Sequence, residues 1–525
     1  MYKPDEYQQK IICSDAKDMV IKAGAGSGKT STMLEMIKYL TREKDVDPKS
    51  IIVLTFTNVA ANHMRLRYSE GCDESCDSPY FGTFHAFCYK ILSENLDAAE
   101  ALGYSDTPYI SNGIEMRIIK NDILNSIGSK LSFKQLSNPE RLKGKSRLEY
   151  DHYIKLFDRY IKRNVMIDFD MLSREVCRLF IEDSDVVADI KNKCAYLFVD
   201  EFQDTDDVQF AFVQSMQNSN RCLFGDPMQN IYGFRGCTNE PMKNLLDDDS
   251  WESFEMPIDY RSTYEICSYV NDSSSTFYSR RFGVDLISCR SGANVREFKY
   301  ESIYDMYKML IRYVKIKDEE GSVACLFRTN KEVSECAEMM KANDIAFSSS
   351  FSDDYAYNII MSCKYKKHRS AWLQAKLSKQ DYEKYSMIKR STGSDPIETK
   401  EYRFGSIESA VSDIDDMSRI VAAGDIPNLR SHLNLKFSIS VQDESCESVD
   451  SVLYAAAYES TRKRTDENVF IGTVHSSKGL EFDSVAVIGP KGPTFKLDCE
   501  DNQNLFYTAC TRAKDNLIVF YGECL

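Results

Sequence analysis

Three short stretches hold residues of the types and spacing that handle a polyphosphate. Residues 23–30 read AGAGSGKT, an A-x-x-x-x-G-K-T pattern made of Ala23, Gly24, Ala25, Gly26, Ser27, Gly28, Lys29 and Thr30. The glycines let backbone N–H groups approach phosphate oxygens with no Cβ in the way. Lys29 is then placed for the β- and γ-phosphates and Thr30 for Mg²⁺. Residues 196–207 read YLFVDEFQDTDD, an apolar run that ends directly in Asp200 and Glu201. Adjacent acids at the end of a buried strand are poor structural choices, because each must be desolvated or paired. Beside Mg²⁺ and ATP they have work to do, Asp200 as metal ligand and Glu201 as the general base that activates water. Near the other end, residues 510–522 read CTRAKDNLIVFYG. An arginine entering a buried strand needs an anion, and the γ-phosphate is the anion this sequence offers to Arg512.

These groups act only if elements hold them. Met19-Val20-Ile21 predicts a short strand before the glycine loop, and Leu34, Ile37 and Leu40 recur at helical spacing after it. Tyr196–Val199 and Leu517–Tyr521 predict buried strands, as do VFIGTV (469–474), SVAVIG (484–489) and the strand in SVACLFRT (322–329). A chain of 525 residues implies three or four folding units. No apolar run reaches the ~20 residues that span a bilayer, and MYKPDEYQQK at the start lacks a signal-peptide pattern, so a cytoplasmic protein without membrane contact is expected. The net charge of −15 argues against a protein that coats nucleic acid everywhere but leaves room for a narrow basic groove. Candidates are Arg141–Asn164 and Lys364–Arg369, each also readable as a solvated helix face. The 17 cysteines are scattered, with Cys72 and Cys76 as a lone CxxxC, which predicts reduced structural thiols and no zinc or iron–sulfur site.

Taken in order, the segments YQQKII, AGAGSGKT, VLTFTNVAANHM, GTFHAF, IDFDML, VDEFQD, GDPMQNIYGFRG, DYRST, TVHSSKGLEFDSV and YTACTRAKD resemble the motif series of the UvrD/Rep/PcrA family of superfamily-one DNA helicases. The resemblance implies that Gln8 and Tyr260 hold adenine, that Gln229 senses the γ-phosphate, and that Glu481 touches the ribose or the γ-phosphate region. Arg261 and Arg512 become two arginine fingers from a second lobe. Phe56, Asn58, His85, Tyr232, Phe234, Arg235 and His475 become the grip on single-stranded DNA, where aromatic faces stack on any base. Three positions depart from the family pattern. Ser31 stands where arginine is common against the base, Val59 replaces a usual lysine, and Phe234 replaces a usual tryptophan.

The fold implied is α/β, with two RecA-like P-loop lobes, each a parallel sheet flanked by helices and each interrupted by a mainly helical insertion. The expected boundaries are 1–92 and 195–258 for the first lobe with insertion 93–194. The second lobe takes 259–349 and 467–525, with a reduced insertion at 350–466. The activity implied is an ATP-dependent 3′–5′ translocase and helicase acting on single-stranded or tailed duplex DNA, with ATP and Mg²⁺. Its size and missing parts also resemble the helicase-like subunits of anti-phage systems such as Gabija. That likeness implies an alternative, a DNA-stimulated ATPase that a separate nuclease subunit reads.

Overall fold

A computed structural model describes residues 3–522 except 71–76, 112, 137–140, 234–236, 293, 350–354, 365–368, 370–372, 374–375, 393–395, 397–398, 400–401, 438–447, 450–451, 454–455, 457–467 and 491–494. The chain divides into two compact units. One comprises residues 1–298, 478–481 and 490–519, the other residues 299–477, 482–489 and 520–525. The segments bearing Tyr260, Arg261, Glu481 and Arg512 therefore pack in the same unit as the glycine loop.

The first unit is built on six parallel strands: β1 (Asp18–Ala23), β2 (Ile51–Thr55), β3 (Tyr80–Thr83), β4 (Tyr196–Val199), β5 (Asn220–Gly225) and β6 (Glu252–Met256), in the order β3-β2-β4-β5-β1-β6. Both faces are covered, which is why β2 reads as the unbroken apolar run IIVLT, buried throughout. The two-residue period of a strand sends alternate side chains to opposite cores. Val20, Leu54, Val199 and Leu223 pack with Phe87, Phe180 and Phe212 on one face. Met19, Ile21, Val53, Phe198 and Phe224 meet Met33, Ile37 and Leu40 of the helix Lys29–Glu43 on the other. Each such large apolar side chain contributes about 1.5–3 kcal/mol by leaving water. Because all six strands run the same way, the loops after β1, β2, β3, β4 and β5 gather at one edge of the sheet, where α/β folds bind ligands.

Residues 93–194 are mainly helical, with helices Leu96–Ala101, Gly113–Ser126, Gly144–Arg163, Phe169–Ile181 and Asp185–Lys193. The basic stretch lies on Gly144–Arg163, which buries Tyr153, Phe157 and Ile161 in a satellite core. Several of its cations are spent on their own helix, as in Arg147–Asp151 at 3.0 Å and Lys162–Asp158 at 3.0 Å, exposed pairs of small energy.

The second unit has parallel strands β7 (Val323–Phe327), β8 (Ser348–Ser349), β9 (Val469–Thr473) and β10 (Phe482–Ile488), ordered β10-β7-β9-β8 within the chain's second six-stranded sheet. The helices Ile303–Asp318 and Asn330–Lys341 belong to it, and its 350–466 segment includes the helices Lys379–Thr392, Glu408–Ala423 and Ile426–Phe437. The architecture is α/β, with two helix-flanked parallel sheets of the RecA-like kind. Of the second basic stretch, residues 365–368 lie outside the described residues, as do Cys72 and Cys76. The described cysteines are free thiols, most of them buried, and no metal-holding cluster occurs among the described residues. No described helix is long and apolar enough to cross a membrane.

Candidate nucleotide site and nucleic-acid face

The glycine loop connects the end of β1 to the N-terminus of the helix Lys29–Glu43, so Lys29, Thr30 and Ser31 form its first turn. Backbone N–H groups without helical partners and the positive end of the helix dipole both point there. Gly24 N donates to Met256 O at 3.1 Å, which ties the loop to β6. Gly26 and Gly28 adopt φ of +70° and +79°, a region that only glycine enters cheaply. At Gly26 an added Cβ would also collide with the Asp259 carboxylate. That carboxylate accepts from Arg261 N at 2.7 Å and Ser262 N at 3.1 Å. Gly26→Ala is therefore expected to disturb the loop and the arginine-bearing turn together. It should weaken ADP binding by about tenfold or more and cost about 1–3 kcal/mol of stability, read by ADP titration and a thermal melt.

Asp200 and Glu201 follow β4 without an intervening residue. Glu201 sits at φ +52°, left-handed backbone for a non-glycine residue. Such strain costs on the order of 1–2 kcal/mol and collects at functional sites. The Gln203 side-chain amide donates to Glu201 Oε2 at 2.6 Å, and Glu201 N donates to Asp200 Oδ1 at 3.0 Å. Burial and the adjacent Glu201 charge push the Asp200 carboxyl well above the usual carboxylate range. Burial acts the same way on Glu201, but Lys29, Lys478, the Gln203 amide and Arg512 outweigh it and hold Glu201 low. The two neighbours are thus driven apart, one toward neutrality and one firmly ionised.

A cavity of about 520 Å³ opens over these groups. Its wall includes Gly24, Gly26, Ser27, Gly28, Lys29, Thr30, Ser31, Glu201, Gln229, Tyr260, Arg261, Glu481 and Arg512. Six cations line it (Lys29, Arg67, Arg261, Arg290, Arg512 and Lys514) against the two carboxylates Glu201 and Glu481, a field suited to a polyanion. Gln8, Ala23, Ala25 and Asp200 are buried and do not line it. Gln8 is 1% exposed, and its amide donates to Ser27 O at 3.0 Å. Ser31 Oγ accepts from Arg67 Nη2 at 3.1 Å, so an arginine from the helix Asn58–Ser69 reaches the position that the loop itself leaves without one.

The two arginines differ in their surroundings. Arg261 Nε donates to Glu481 Oε2 at 2.9 Å and Nη1 to Thr511 O at 3.0 Å. Arg512, 2% exposed, donates to Thr508 O at 3.0 Å, Leu480 O at 3.3 Å, Gln229 Oε1 at 3.1 Å and Thr511 Oγ1 at 3.2 Å. All four acceptors are uncharged. Burial, with Arg261 nearby, brings Arg512 down to about 9. Gln229 is fixed in turn by its amide donating to Asp226 Oδ2 at 2.7 Å.

On another side of the same sheet edge, Phe56 and Tyr232 stack with ring centroids 4.8 Å apart and planes at 22°. Thr57 caps the helix Asn58–Ser69, so Asn58 opens its first turn, and Val59 beside it is 80% exposed. His85 meets Phe169 edge-on at 5.6 Å. Phe234 and Arg235 lie outside the described residues. His475 belongs to the second unit, in the short helix Val474–Ser477.

Two participants escaped sequence reasoning. Lys478, its side chain 8% exposed, pairs with the fully buried Asp204, donates to Gln229 O at 2.8 Å, and lies over the Tyr232 ring at 5.1 Å. It links the nucleotide side to the stacked aromatics. Its signal was a lysine just before Gly479, but its partners are more than 240 residues away. Phe169, 53% exposed beside His85, could have been found as an aromatic at a helix start in IDFDML.

Comparison with known proteins gives two family models. The UvrD/REP helicase N-terminal domain matches residues 5–249, and the UvrD-like helicase C-terminal domain matches residues 350–523. Among similar proteins is the ATP-dependent DNA helicase PcrA of Staphylococcus epidermidis, 28% identical over 352 residues, covering 62% of this chain and 48% of that protein. The PcrA of Staphylococcus aureus is 27% identical over 353 residues, with the same coverage of 62% and 48%. The chain thus spans about half the length of the curated relatives it matches. A solved structure of the C-terminal domain of a possible DNA helicase from Lactobacillus plantarum overlays 51% of this chain and 89% of that one at 13% identity, with a TM-score of 0.24. That superposition is too loose to inform the fold.

Proposed function

Since the chain belongs to the UvrD/REP helicase family, we propose that it is an ATP-driven motor that moves 3′ to 5′ along single-stranded DNA and separates duplex ahead of it. The observation that supports this reading best is the convergence of Lys29, Glu201, Gln229, Arg261 and Arg512 on one cavity at the C-terminal edge of a parallel sheet. The polyphosphate lies along the loop, with Lys29 on its β- and γ-oxygens and Tyr260 beside the base. Glu201 takes the proton from the attacking water, while Arg261 and Arg512 meet the charge that develops on the γ-phosphoryl group.

The residues also suit Mg²⁺. Asp200 is a buried carboxylate with no salt bridge among the described residues and a pKa raised by that burial, the condition a divalent cation relieves. Thr30 and Asp200 would hold the ion, which would neutralise phosphate charge when bound.

Single-stranded DNA lies against Phe56, Asn58, His85 and Tyr232, and the motif resemblance adds Phe234, Arg235 and His475. The chain Glu201–Gln203, Gln203 Oε1 to Asp226 N at 3.0 Å, Gln229 and Lys478 carries the state of the nucleotide to Tyr232. Phe56→Ala is expected to weaken single-strand binding about tenfold, in line with 1–3 kcal/mol per stacked base, measured by fluorescence anisotropy of a labelled oligonucleotide.

The deciding experiment follows strand separation and phosphate release together, on duplexes with a 3′ or a 5′ single-stranded tail. Unwinding only from the 3′ tail is the expected result. DNA-stimulated phosphate release with no unwinding from either tail would replace the motor with a DNA-sensing ATPase.

A further inference from the structure

Tyr260 is held at both ends. Its backbone N–H donates to Gly26 O at 3.1 Å, and its phenol donates to Asp5 Oδ2 at 2.5 Å. Asp5 lies 255 residues away in sequence, as the N-cap of the helix Glu6–Ile12. Its other oxygen, Oδ1, accepts from Tyr7 N at 2.7 Å and Gln8 N at 2.8 Å. Gln8 closes a capping box, its Oε1 accepting from Asp5 N at 3.1 Å while its Nε2 donates to Ser27 O at 3.0 Å. Asp5 and Gln8 thereby brace the glycine loop and the tyrosine as one unit.

A tyrosine that lines a cavity while 43% exposed would ordinarily give its hydroxyl to water and sample several χ1 rotamers. A phenol bonded to a carboxylate is charge-assisted and short. Anchoring the hydroxyl fixes χ1 and the ring axis, leaving only spin about that axis. The ring is then already held at the cavity when a base arrives, with one torsion left to settle, and the ordering cost of binding falls.

We propose that Asp5 is a positioning residue for the nucleotide: by holding the Tyr260 phenol it keeps the ring at the cavity and raises affinity without touching the ligand. The proposal rests on the reading that Tyr260 faces the base. It concerns affinity and not chemistry, so the tether acts on ground state and transition state alike.

The test separates the two carboxylate oxygens. Asparagine caps a helix as well as aspartate does, and its carbonyl can serve Tyr7 N and Gln8 N. Its amide nitrogen cannot accept the phenol proton and at most donates to the phenol oxygen, a neutral bond in place of the charge-assisted one. Asp5→Asn therefore keeps the cap and loses the charge-assisted tether, and Tyr260→Phe loses the tether outright and keeps the ring. Each is expected to weaken ADP binding, measured by calorimetry on the full chain, by about 3- to 10-fold, the worth of one hydrogen bond. In steady-state turnover with single-stranded DNA, KM for ATP should rise by the same factor with kcat within about twofold. The double variant should be no worse than either single one.

Tyr260→Ala tells the tether from the reading beneath it. If Tyr260→Ala weakens ADP while both tether variants match the unaltered protein, the tether is overturned and the base reading stands. If Tyr260→Ala has no effect, the base reading falls and the tether with it. Additive losses in the double variant would overturn the proposal, because they would assign the two groups separate roles.

Discussion

Glu201→Gln is expected to lower ATP turnover by about 10³-fold while nucleotide affinity stays within a few-fold of the unaltered protein, a general base being worth roughly 10²–10⁴. The substitution keeps the shape of the side chain and removes its ability to take a proton. Glu201 is built to be ionised: Lys29, Lys478, the Gln203 amide and Arg512 all favour its charged form against burial. So low a pKa makes a feeble base in the free protein. In the proposed function a bound triphosphate would draw Lys29 and Arg512 to its own oxygens and so return basicity to the carboxylate. Asp200, pushed the opposite way by burial and by the Glu201 charge, should ionise more readily in the variant. Phosphate release and ADP calorimetry on the same preparation check both halves. Turnover within tenfold of the unaltered protein in a folded Glu201→Gln variant would remove Glu201 from the chemistry.

Much of this site was legible in the sequence because its parts are local. Met19-Val20-Ile21, the glycine loop and the 3.6-residue spacing of Leu34, Ile37 and Leu40 specify strand, loop and helix within about 25 residues, and β1 with the helix Lys29–Glu43 stands where they predict. YLFV before Asp200 became β4 for the same reason. Arg512 was expected on a turn or short helix entering a strand. It lies two residues past the end of the helix Glu500–Cys510 and immediately before the strand Ala513–Tyr521. What stayed hidden was long-range. The Asp5–Tyr260 tether and the Lys478–Asp204 pair join residues 255 and 274 apart, and no periodicity encodes such a meeting. The left-handed backbone of Glu201 was hidden too, since the sequence offers no glycine or asparagine there to announce it. Gln8 shows a subtler gap. The motif resemblance points at the base, whereas both polar ends of its side chain are engaged by Asp5 N and Ser27 O.

Arg512→Ala is expected to lower kcat by about 10³-fold or more with little change in KM, since an arginine that meets transition-state charge contributes roughly 10³–10⁵. The reason lies in what Arg512 does not have. Its hydrogen bonds go to three carbonyl oxygens and one hydroxyl, counting the Gln229 amide oxygen as a carbonyl. A buried cation hydrogen-bonded only to dipoles is costly even with Glu201 and Asp226 nearby, and burial with Arg261 beside it draws the pKa down to about 9. A γ-phosphoryl group gaining negative charge would add a directly bonded anion and relieve that cost in the transition state. Arg261 makes the contrast. Glu481 already neutralises it at 2.9 Å, so Arg261→Ala should cost less than Arg512→Ala. Alanine at 512 also removes the guanidinium bonds to Leu480 O and to Thr508 O, the latter keeping Thr511 Oγ1 as donor, so a lower melting temperature is expected alongside the kinetic loss. Arg512→Lys keeps a charge in the same space but not the planar fork that reaches Gln229 and Leu480 together. It should fold with a melting temperature nearer the unaltered protein and recover only a small part of kcat. A folded Arg512→Lys variant with nearly full kcat would reduce Arg512 to a point charge, and full kcat in Arg512→Ala would leave the buried cation a purely structural role.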